Sequence, residues 1–319
     1  MKKIFLSIMA VAALVACNKE AAIETPQGDA IAFGDTFIEN STKAIYETAA
    51  NLTEFTVWGN VKGTNSTPIA LYPKAGASVS RGEAALGAAW TCDVTRYWIP
   101  SCNYNFTAIA NGTGTALVNG IPTKIAYSIN STDPADLIYG VTTASTDASG
   151  VPTSGVNDAK VVTFTMEHLL ARLQVSFQNM IPEDVYTYDI KNVNVTTWDK
   201  GVYTIGEATP WAQDDNTGQI VLSYGKIESL ANSTPTVATG SHLVIPGSAI
   251  TLSFEYVLKL NETEIYSTSV SKSVTLESVK GRSYSLNVQL KAGNKIDFSV
   301  SETNGLGAWG DAGSSEVTL

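Results

Sequence analysis

The sequence predicts an all-β protein made of two β-sandwich domains in tandem. From residue 31 onward, short runs of Val, Ile, Thr, Tyr, Phe and Trp alternate with polar residues and end at Gly, Asn, Asp, Ser or Pro, which is typical of strands and turns. Hydrophobic residues make up 44% of the chain and charged residues 16%, enough to form a buried core. The 319 residues favour two domains, because one compact domain usually holds about 100–200 residues.

Thirteen segments carry the strand pattern, and their close spacing is typical of packed sheets. They are residues 31–38, 52–61, 97–110, 124–129, 137–141, 161–164, 171–177, 188–197, 219–224, 242–245, 250–260, 264–274 and 283–291. Residues 142–158 are rich in Ser, Thr, Asp and Gly and predict a linker. We therefore expect domains at residues 31–157 and 158–291, followed by a tail at 292–319.

The N-terminus has the pattern of an export signal. Residues 1–17 contain two lysines, then an apolar run of about a dozen residues that is too short to span a bilayer. The sequence LVAC ending at Cys17 resembles the lipobox of bacterial lipoproteins, which implies cleavage before Cys17 and lipid attachment to its thiol. An ordinary secretory signal with an incidental cysteine is the alternative. Residues 18–30 are polar and predict a flexible tether.

Composition and motifs argue against nucleic-acid binding and catalysis. The chain has a net charge of −10, and its sequence lacks the clusters of Lys and Arg that bind phosphate groups. His168 and His242 have no neighbouring ligand at metal-binding spacing, and no nucleophile elbow, phosphate loop or calcium loop is present in the sequence. We therefore expect that the protein is not an enzyme and binds neither a metal ion nor a cofactor. We expect the His168 side chain to pack or form a hydrogen bond at the start of the second domain.

Cys92 and Cys102 allow two interpretations. An oxidising compartment permits a disulfide that would clip a hairpin, provided that the α-carbons come within about 7 Å. Otherwise the two residues are small buried hydrophobic side chains.

Several phrases together resemble a known family. In order, they are IAFG at 31–34, TKA at 42–44, FTVWG at 55–59, YWIP at 97–100, YNFTA at 104–108, DLIY at 136–139 and HLLARLQV at 168–175. This series resembles the fimbrillin family of Bacteroidetes, the lipoprotein pilins of type V pili. The resemblance implies two domains of transthyretin-like topology and export to the outer membrane. It also implies removal of the first strand by an Arg- or Lys-directed protease, and polymerisation in which one subunit's C-terminal tail fills the vacated groove of the next.

The N-terminal part of the sequence contains a strand and a basic residue suited to that process. In residues 31–38, Ile31, Phe33 and Phe37 fall on one face, and Asp35 is the polar exception. The polar stretch that follows ends at Lys43, where cleavage would release the strand with its lipid. A surface lysine in a turn is the alternative, and Lys19 and Arg81 are weaker cleavage candidates.

The C-terminal part offers a strand that could be donated. Ile296, Phe298 and Val300 alternate with polar residues, so this segment is either the donor strand or an edge strand of its own domain. The sequence thus predicts a fimbrial subunit at the cell outer membrane whose partners are other pilin subunits.

A surface lipoprotein that binds glycans or host ligands is the alternative function. Four tryptophans support it, because exposed aromatic rings can stack on sugars: Trp90, Trp98, Trp198 and Trp211. Exposure of three or more on one face would favour ligand binding, and burial would favour assembly.

Overall fold

The protein is all-β, as its sequence predicts. The computed structural model describes residues 29–35, 37–38, 52–83, 87–130, 135–182, 185–232, 235–274, 278–302 and 317–318. Every regular element in these ranges is a strand. None of these residues belongs to a helix that could cross a membrane.

Twelve strands are described before residue 180. They are β1 (Phe37–Ile38), β2 (Glu54–Gly63), β3 (Ile69–Ala70), β4 (Ala77–Arg81), β5 (Trp90–Cys92), β6 (Cys102–Ala110), β7 (Thr113–Val118), β8 (Ile121–Ser128), β9 (Ile138–Thr146), β10 (Pro152–Ser154), β11 (Thr165–His168) and β12 (Ala171–Asn179). Strands β9 and β10 extend into residues 142–158, which were predicted to be a linker, because residues 142–145 continue the ladder with β6 and β10 pairs with the end of β9.

Twelve further strands are described after residue 180. They are β13 (Tyr186–Trp198), β14 (Lys200–Thr204), β15 (Trp211–Ala212), β16 (Gln219–Ser223), β17 (Ile227–Leu230), β18 (Thr236–Val237), β19 (His242–Val244), β20 (Ile250–Leu260), β21 (Thr263–Val274), β22 (Ser283–Lys291), β23 (Lys295–Glu302) and β24 (Val317–Thr318). The boundaries of β20 and β22 coincide with the predicted segments.

These strands form four sheets. A nine-stranded sheet has the order β1-β11-β9-β6-β2-β4-β5, with β10 on β9 and β3 on β2. A six-stranded sheet has the order β18-β12-β22-β23-β24, with β19 on β12, and a five-stranded sheet has the order β16-β13-β20-β21, with β17 on β13. A four-stranded sheet has the order β15-β14-β8-β7. The transthyretin-like topology that the resemblance implies stays a prediction.

Two hydrophobic cores are packed against these sheets. One core is formed by residues 31 to 166, and the other by the five- and six-stranded sheets together with parts of β8 and β14. Strand β2 contributes to both, because successive side chains point to opposite faces: Val57 enters the first core and Trp58 the second. The centre of the nine-stranded sheet is thus buried on both faces, which explains the continuous apolar run in β2.

The two halves of the chain interlock across the predicted domain boundary near residue 157. Strand β11 follows that boundary but pairs with β9 in the nine-stranded sheet. Strand β14, from the second half, pairs with β8 from the first half. After His168 the buried apolar residues that the structure describes all belong to the second core, so the chain changes cores there, although Trp58, Ile109 and Ile125 already reach that core from the first half. The nine-stranded and the four-stranded sheets both contain strands from either side of residue 157.

A buried polar pair lies at this change. His168 Nδ1 and Asp136 Oδ2 are 2.5 Å apart, and both side chains are almost fully buried. Burial raises the pKa of the Asp136 carboxyl, and the hydrogen bond and charge of His168 oppose that rise. The backbone beside the pair is also joined, because Leu169 N–H donates to the Leu137 carbonyl at 2.9 Å. This pair anchors the end of β11 to the start of β9.

We predict that Asp136→Ala lowers the free energy of unfolding by about 3 kcal/mol, because it removes a buried acceptor of the His168 ring. Urea denaturation of the variant and of wild type measures the difference. Glu255→Ala, at an exposed position of β20, is the control and should change stability by less than about 0.5 kcal/mol. A loss below about 1 kcal/mol in Asp136→Ala would contradict a structural role for the pair.

Candidate functional site

Residues 29–35 bind to two separate segments of the chain. Ile31 N–H donates to the Arg96 carbonyl at 2.7 Å. Gly34 N–H donates a hydrogen bond to the Val162 carbonyl at 2.9 Å, and Val162 N–H donates one to the Ala32 carbonyl at 2.8 Å. The segment therefore begins against the loop before β6 and continues beside the chain that leads into β11.

Strand β1 continues this segment at the edge of the nine-stranded sheet. Phe37 lies opposite Thr165 and Ile38 opposite Met166, in parallel register with β11. In the part of the chain that the structure describes, β1 is the terminal strand of the sheet order. Its departure would uncover β11 without breaking a ladder between two other strands.

Phe33 anchors the segment in the first core. Its side chain is 5% exposed, and its ring centroid lies 6.0 Å from that of Phe106, 6.1 Å from Phe164 and 6.3 Å from Phe55. Ile31 is equally buried nearby. Burying these two side chains stabilises the attached segment by about 1.5–3 kcal/mol each. Ala32 and Gly34 have small side chains, which allows the backbone of this segment to lie close to Val161 and Val162.

Asp35, the polar exception in the predicted strand, has a defined set of partners. Its carboxylate lies 3.1 Å from Arg81 and accepts hydrogen bonds from Gly87 N–H at 2.6 Å and Trp90 Nε1–H at 3.0 Å. Burial acts to raise the pKa of Asp35, but the hydrogen bonds from Trp90 and Gly87 and the charge of Arg81 outweigh it and hold the pKa below its usual value. Asp35 therefore fastens the segment to β4 and β5.

The basic residues proposed for cleavage differ in what the structure says of them. Arg81 is 5% exposed and its Nε–H donates to the Leu52 carbonyl at 2.8 Å, so a protease cannot reach it in the folded protein. Lys43, Lys19 and the lipidation candidate Cys17 lie outside the described residues. Their roles stay predictions.

The predicted donor residues Ile296, Phe298 and Val300 lie in β23. This strand pairs with β22 along eight registered positions, from Tyr284 opposite Glu302 to Lys291 opposite Lys295. Phe298 and Val300 are each 8% exposed and belong to the second core. In this structure the segment is thus a strand of its own domain, and it would have to leave that core to serve a neighbour.

Strand β24 lies at one edge of the six-stranded sheet, in the part of the chain that the structure describes. Val317 lies opposite Val300, and Thr318 lies opposite Ser299, in antiparallel register. Within the described ranges β24 is terminal, so the chain end holds the same kind of edge position in the second half as β1 holds in the first.

Cys92 and Cys102 are unbonded thiols, and the sheet register excludes the disulfide that the sequence allowed. Cys92 lies opposite Val79, which lies opposite Phe55, whereas Cys102 lies opposite Gly63. Positions 55 and 63 are separated by roughly 26 Å along β2 at 3.3 Å per residue, far beyond disulfide reach. Both thiols are half-buried rather than fully buried, and burial raises their pKa.

The tryptophans do not form an exposed face. Trp98 is 1% exposed, and Trp90, Trp198 and Trp211 are half-buried. Trp211 borders a cavity of about 620 Å³. Lys280 Nζ, which lines this cavity, donates to Glu167 at 2.6 Å and to the Tyr203 hydroxyl at 3.0 Å. Among the described residues, no group of three His, Cys, Asp or Glu side chains is placed to hold a metal ion.

The sequence predicted the strand at residues 31–38 but did not reveal that Asp35 anchors it. Asp35 interrupts an apolar face, and such an interruption predicts a specific partner when the strand is buried. The partner, Arg81, lies 46 positions away, and nothing in the sequence pairs the two. The pairing follows from the sheet order, which places β4 and β5 near this segment.

We predict that Asp35→Asn lowers the free energy of unfolding by about 1 kcal/mol at pH 7, because charge-assisted hydrogen bonds are lost at a partly exposed site. Since the folded pKa is depressed, this stabilisation is complete above the unfolded pKa of about 3.9 and is lost as pH falls through the folded value. The difference from wild type should therefore shrink in urea titrations below pH 4. Asp93→Asn, at an exposed position, should show no such difference, and a constant difference at all pH values would contradict the assignment.

Comparisons with known proteins show what this chain is similar to. A fimbrial protein from Bacteroides vulgatus is similar in structure with a TM-score of 0.53 at 13% identity, over 78% of this chain and 91% of that chain. The fimbrial anchor protein Mfa2 from Porphyromonas gingivalis aligns at 10% identity over 85% of this chain and 95% of its own, with a TM-score of 0.38. No curated protein matches the sequence. The sequence model of the fimbrillin-like family matches residues 42–304, and the protein therefore belongs to the fimbrillin-like family.

Proposed function

We propose that this protein is a fimbrial subunit that assembles at the cell surface by strand exchange. Its first segment is removed, and a strand from a neighbouring subunit takes the vacated place. The observation that carries this proposal is the edge position of β1, together with residues 29–35, which are held by isolated backbone bridges and a few side-chain anchors. Membership of the fimbrillin-like family supports the same function.

The groove left by this segment is suited to a donated strand. Val162 and Phe164 are almost fully buried beneath it, and both would be uncovered when residues 29–38 leave. The N–H and C=O groups of Val162 and β11 would lose their partners at the same time. An incoming strand that alternates apolar and polar residues would satisfy both requirements.

We assign the donor to the chain end rather than to β23 alone. Strand β23 contributes Phe298 and Val300 to its own core, so donating it would cost the second half part of its packing. Residues 303–319 follow β23, and their described part, β24, pairs only at an outer edge. We therefore narrow the donor tail, predicted from the sequence at residues 292–319, to residues 303–319.

Export and release complete the proposed route. The lipid at Cys17 would hold the precursor at the outer membrane, and cleavage after Lys43 would free the subunit from both the lipid and its first strand. Asp35 and Phe33 would keep the precursor closed until cleavage, because they fasten the segment at two different points. Contribution to adhesion follows from the surface position of the assembled fimbrium.

Ligand binding is the second candidate function, and one observation favours it. The cavity beside Trp211 combines aromatic rings with the Lys280–Glu167 pair, a combination that can hold a sugar or a similar small polar ligand. The half-buried state of the tryptophans gives it less support than the edge strand gives assembly. In neither function does the protein act as an enzyme.

We predict that surface-extracted protein begins at Ala44, and that Lys43→Ala leaves a longer N-terminus that still carries Cys17. N-terminal sequencing distinguishes the two forms. Lys62→Ala, which removes an exposed lysine of β2, is the control and should be processed normally. A wild-type N-terminus at Cys17 in assembled fimbriae would contradict processing at Lys43.

We also predict that a chain lacking residues 303–319 folds with near-native stability but cannot be added to a neighbouring subunit. In a second variant, a Gly-Ser sequence of the same length replaces these residues and keeps the length of the tail. This variant should also fail to assemble, because its tail lacks the apolar alternation of a donor strand. Polymer length is measured on gels of unboiled samples. Normal ladders from either variant would contradict the donor assignment.

A further inference from the structure

A short sequence at the centre of the first segment recurs near the chain end. Residues 33–35 read Phe-Gly-Asp, and residues 309–311 read Trp-Gly-Asp. An aromatic residue followed by Gly-Asp occurs nowhere else in the 319 residues, and Ala precedes it in both places. The repeated sequence therefore links the first segment to the tail that we assign as the donor.

The middle position of this sequence favours glycine. A β-carbon added to Gly34 would lie 2.7 Å from Val161 Cγ2, closer than packed carbon atoms approach each other. The backbone passes this close because Gly34 N–H donates a hydrogen bond to the Val162 carbonyl at 2.9 Å. A strand that replaces the first segment along the same path is therefore best accommodated with a glycine at this position.

The position before the glycine favours an aromatic ring. Phe33 lies in a pocket formed by three other aromatic rings, those of Phe55, Phe106 and Phe164. Trp309 has a larger ring than Phe33, but Gly307 stands two positions before it, where the first segment has Ile31. Because Ile31 belongs to the same core as Phe33, the space that its side chain leaves gives room for the larger ring.

The position after the glycine favours a carboxylate. Three groups donate to the Asp35 carboxylate: the Arg81 guanidinium, Trp90 Nε1–H and Gly87 N–H. All three lose this acceptor when the first segment leaves. The side chain of Arg81 is fully buried, and removing the counter-charge of a buried cation is strongly destabilising. The vacated place therefore favours an incoming strand that brings an aspartate to the same point.

We propose that residues 309–311 of one copy of this chain occupy, in the same direction and register, the places that residues 33–35 leave in the next copy. This inference rests on the proposed strand exchange and adds the residues by which the donor is recognised. The donor runs parallel to the chain at Val162, as the first segment does. The other acidic residue of the tail, Glu316, has no aromatic residue and glycine before it, so it does not fit this place.

Disulfide cross-linking between subunits tests the register. A β-carbon at position 34 would lie 3.6 Å from the Val161 β-carbon, a distance that suits a disulfide. In this register Gly310 of one subunit takes position 34 of the next. A full chain that carries both Val161→Cys and Gly310→Cys should therefore form polymers that stay covalently linked in denaturant without reductant.

The matched control carries Val161→Cys with Gly313→Cys. Gly313 lies three positions further along the tail, beyond disulfide reach of residue 161, so this chain should give about tenfold less linked product. Both chains have Ser in place of Cys92 and Cys102. Equal linking in the two chains, or polymers of the first chain that separate in denaturant, would overturn the register while leaving strand exchange intact. A wild-type chain that forms no polymers would overturn both.

Single and paired substitutions test the contacts. Gly310→Ala should raise the critical concentration of polymerisation about tenfold, and adding Val161→Ala should restore it to within about twofold, because the crowded methyl group is removed. Asp311→Asn should raise it about tenfold, whereas Glu316→Gln, the matched control, should leave it unchanged. An Asp311→Asn chain that polymerises like wild type, or a double variant as weak as Gly310→Ala, would overturn the proposal.

Discussion

An edge strand is held by hydrogen bonds on one side, and the proposed function of this protein depends on that constraint. Strand β1 lies at such an edge, and residues 29–35 add only isolated backbone bridges to the loop before β6 and to Val162, so this segment can be exchanged for another without breaking the ladders among β11, β9 and β6. A central strand such as β12 could not be exchanged, because it pairs on both sides and is buried along nearly its whole length.

The same segment must also stay in place before assembly. Phe33 supplies apolar burial at one point, and Asp35 supplies charge-assisted hydrogen bonds two residues later. Each contribution is small beside the total stability of a domain, typically 5–15 kcal/mol, so the rest of the fold can survive their loss. The His168–Asp136 pair and the sheet shared by β8 and β14 join the remaining parts independently of the segment.

Much of the fold can be predicted from the local pattern of apolar and polar residues, and the predictions that failed did so for physical reasons. The all-β class, the strands β20 and β22 and the fimbrillin-like family were predicted and are confirmed. Alternation locates a strand but does not say which strand lies beside it. For that reason the sequence could not reveal the Asp35–Arg81 contact, the return of β11 to the first sheet or the wide separation of Cys92 and Cys102. Short strands such as β4 and β14 were missed because few residues carry their pattern.

Direct replacement of the first segment tests the central claim. A chain that begins at Ala44 lacks residues 29–38 and should bind a synthetic peptide of residues 303–319 in calorimetric titrations. A peptide of residues 29–38 should compete for the same place, whereas the full chain, whose groove is filled, should bind neither peptide. Binding of the tail peptide that the first-segment peptide does not displace, or equal binding by the full chain, would contradict strand exchange at this site.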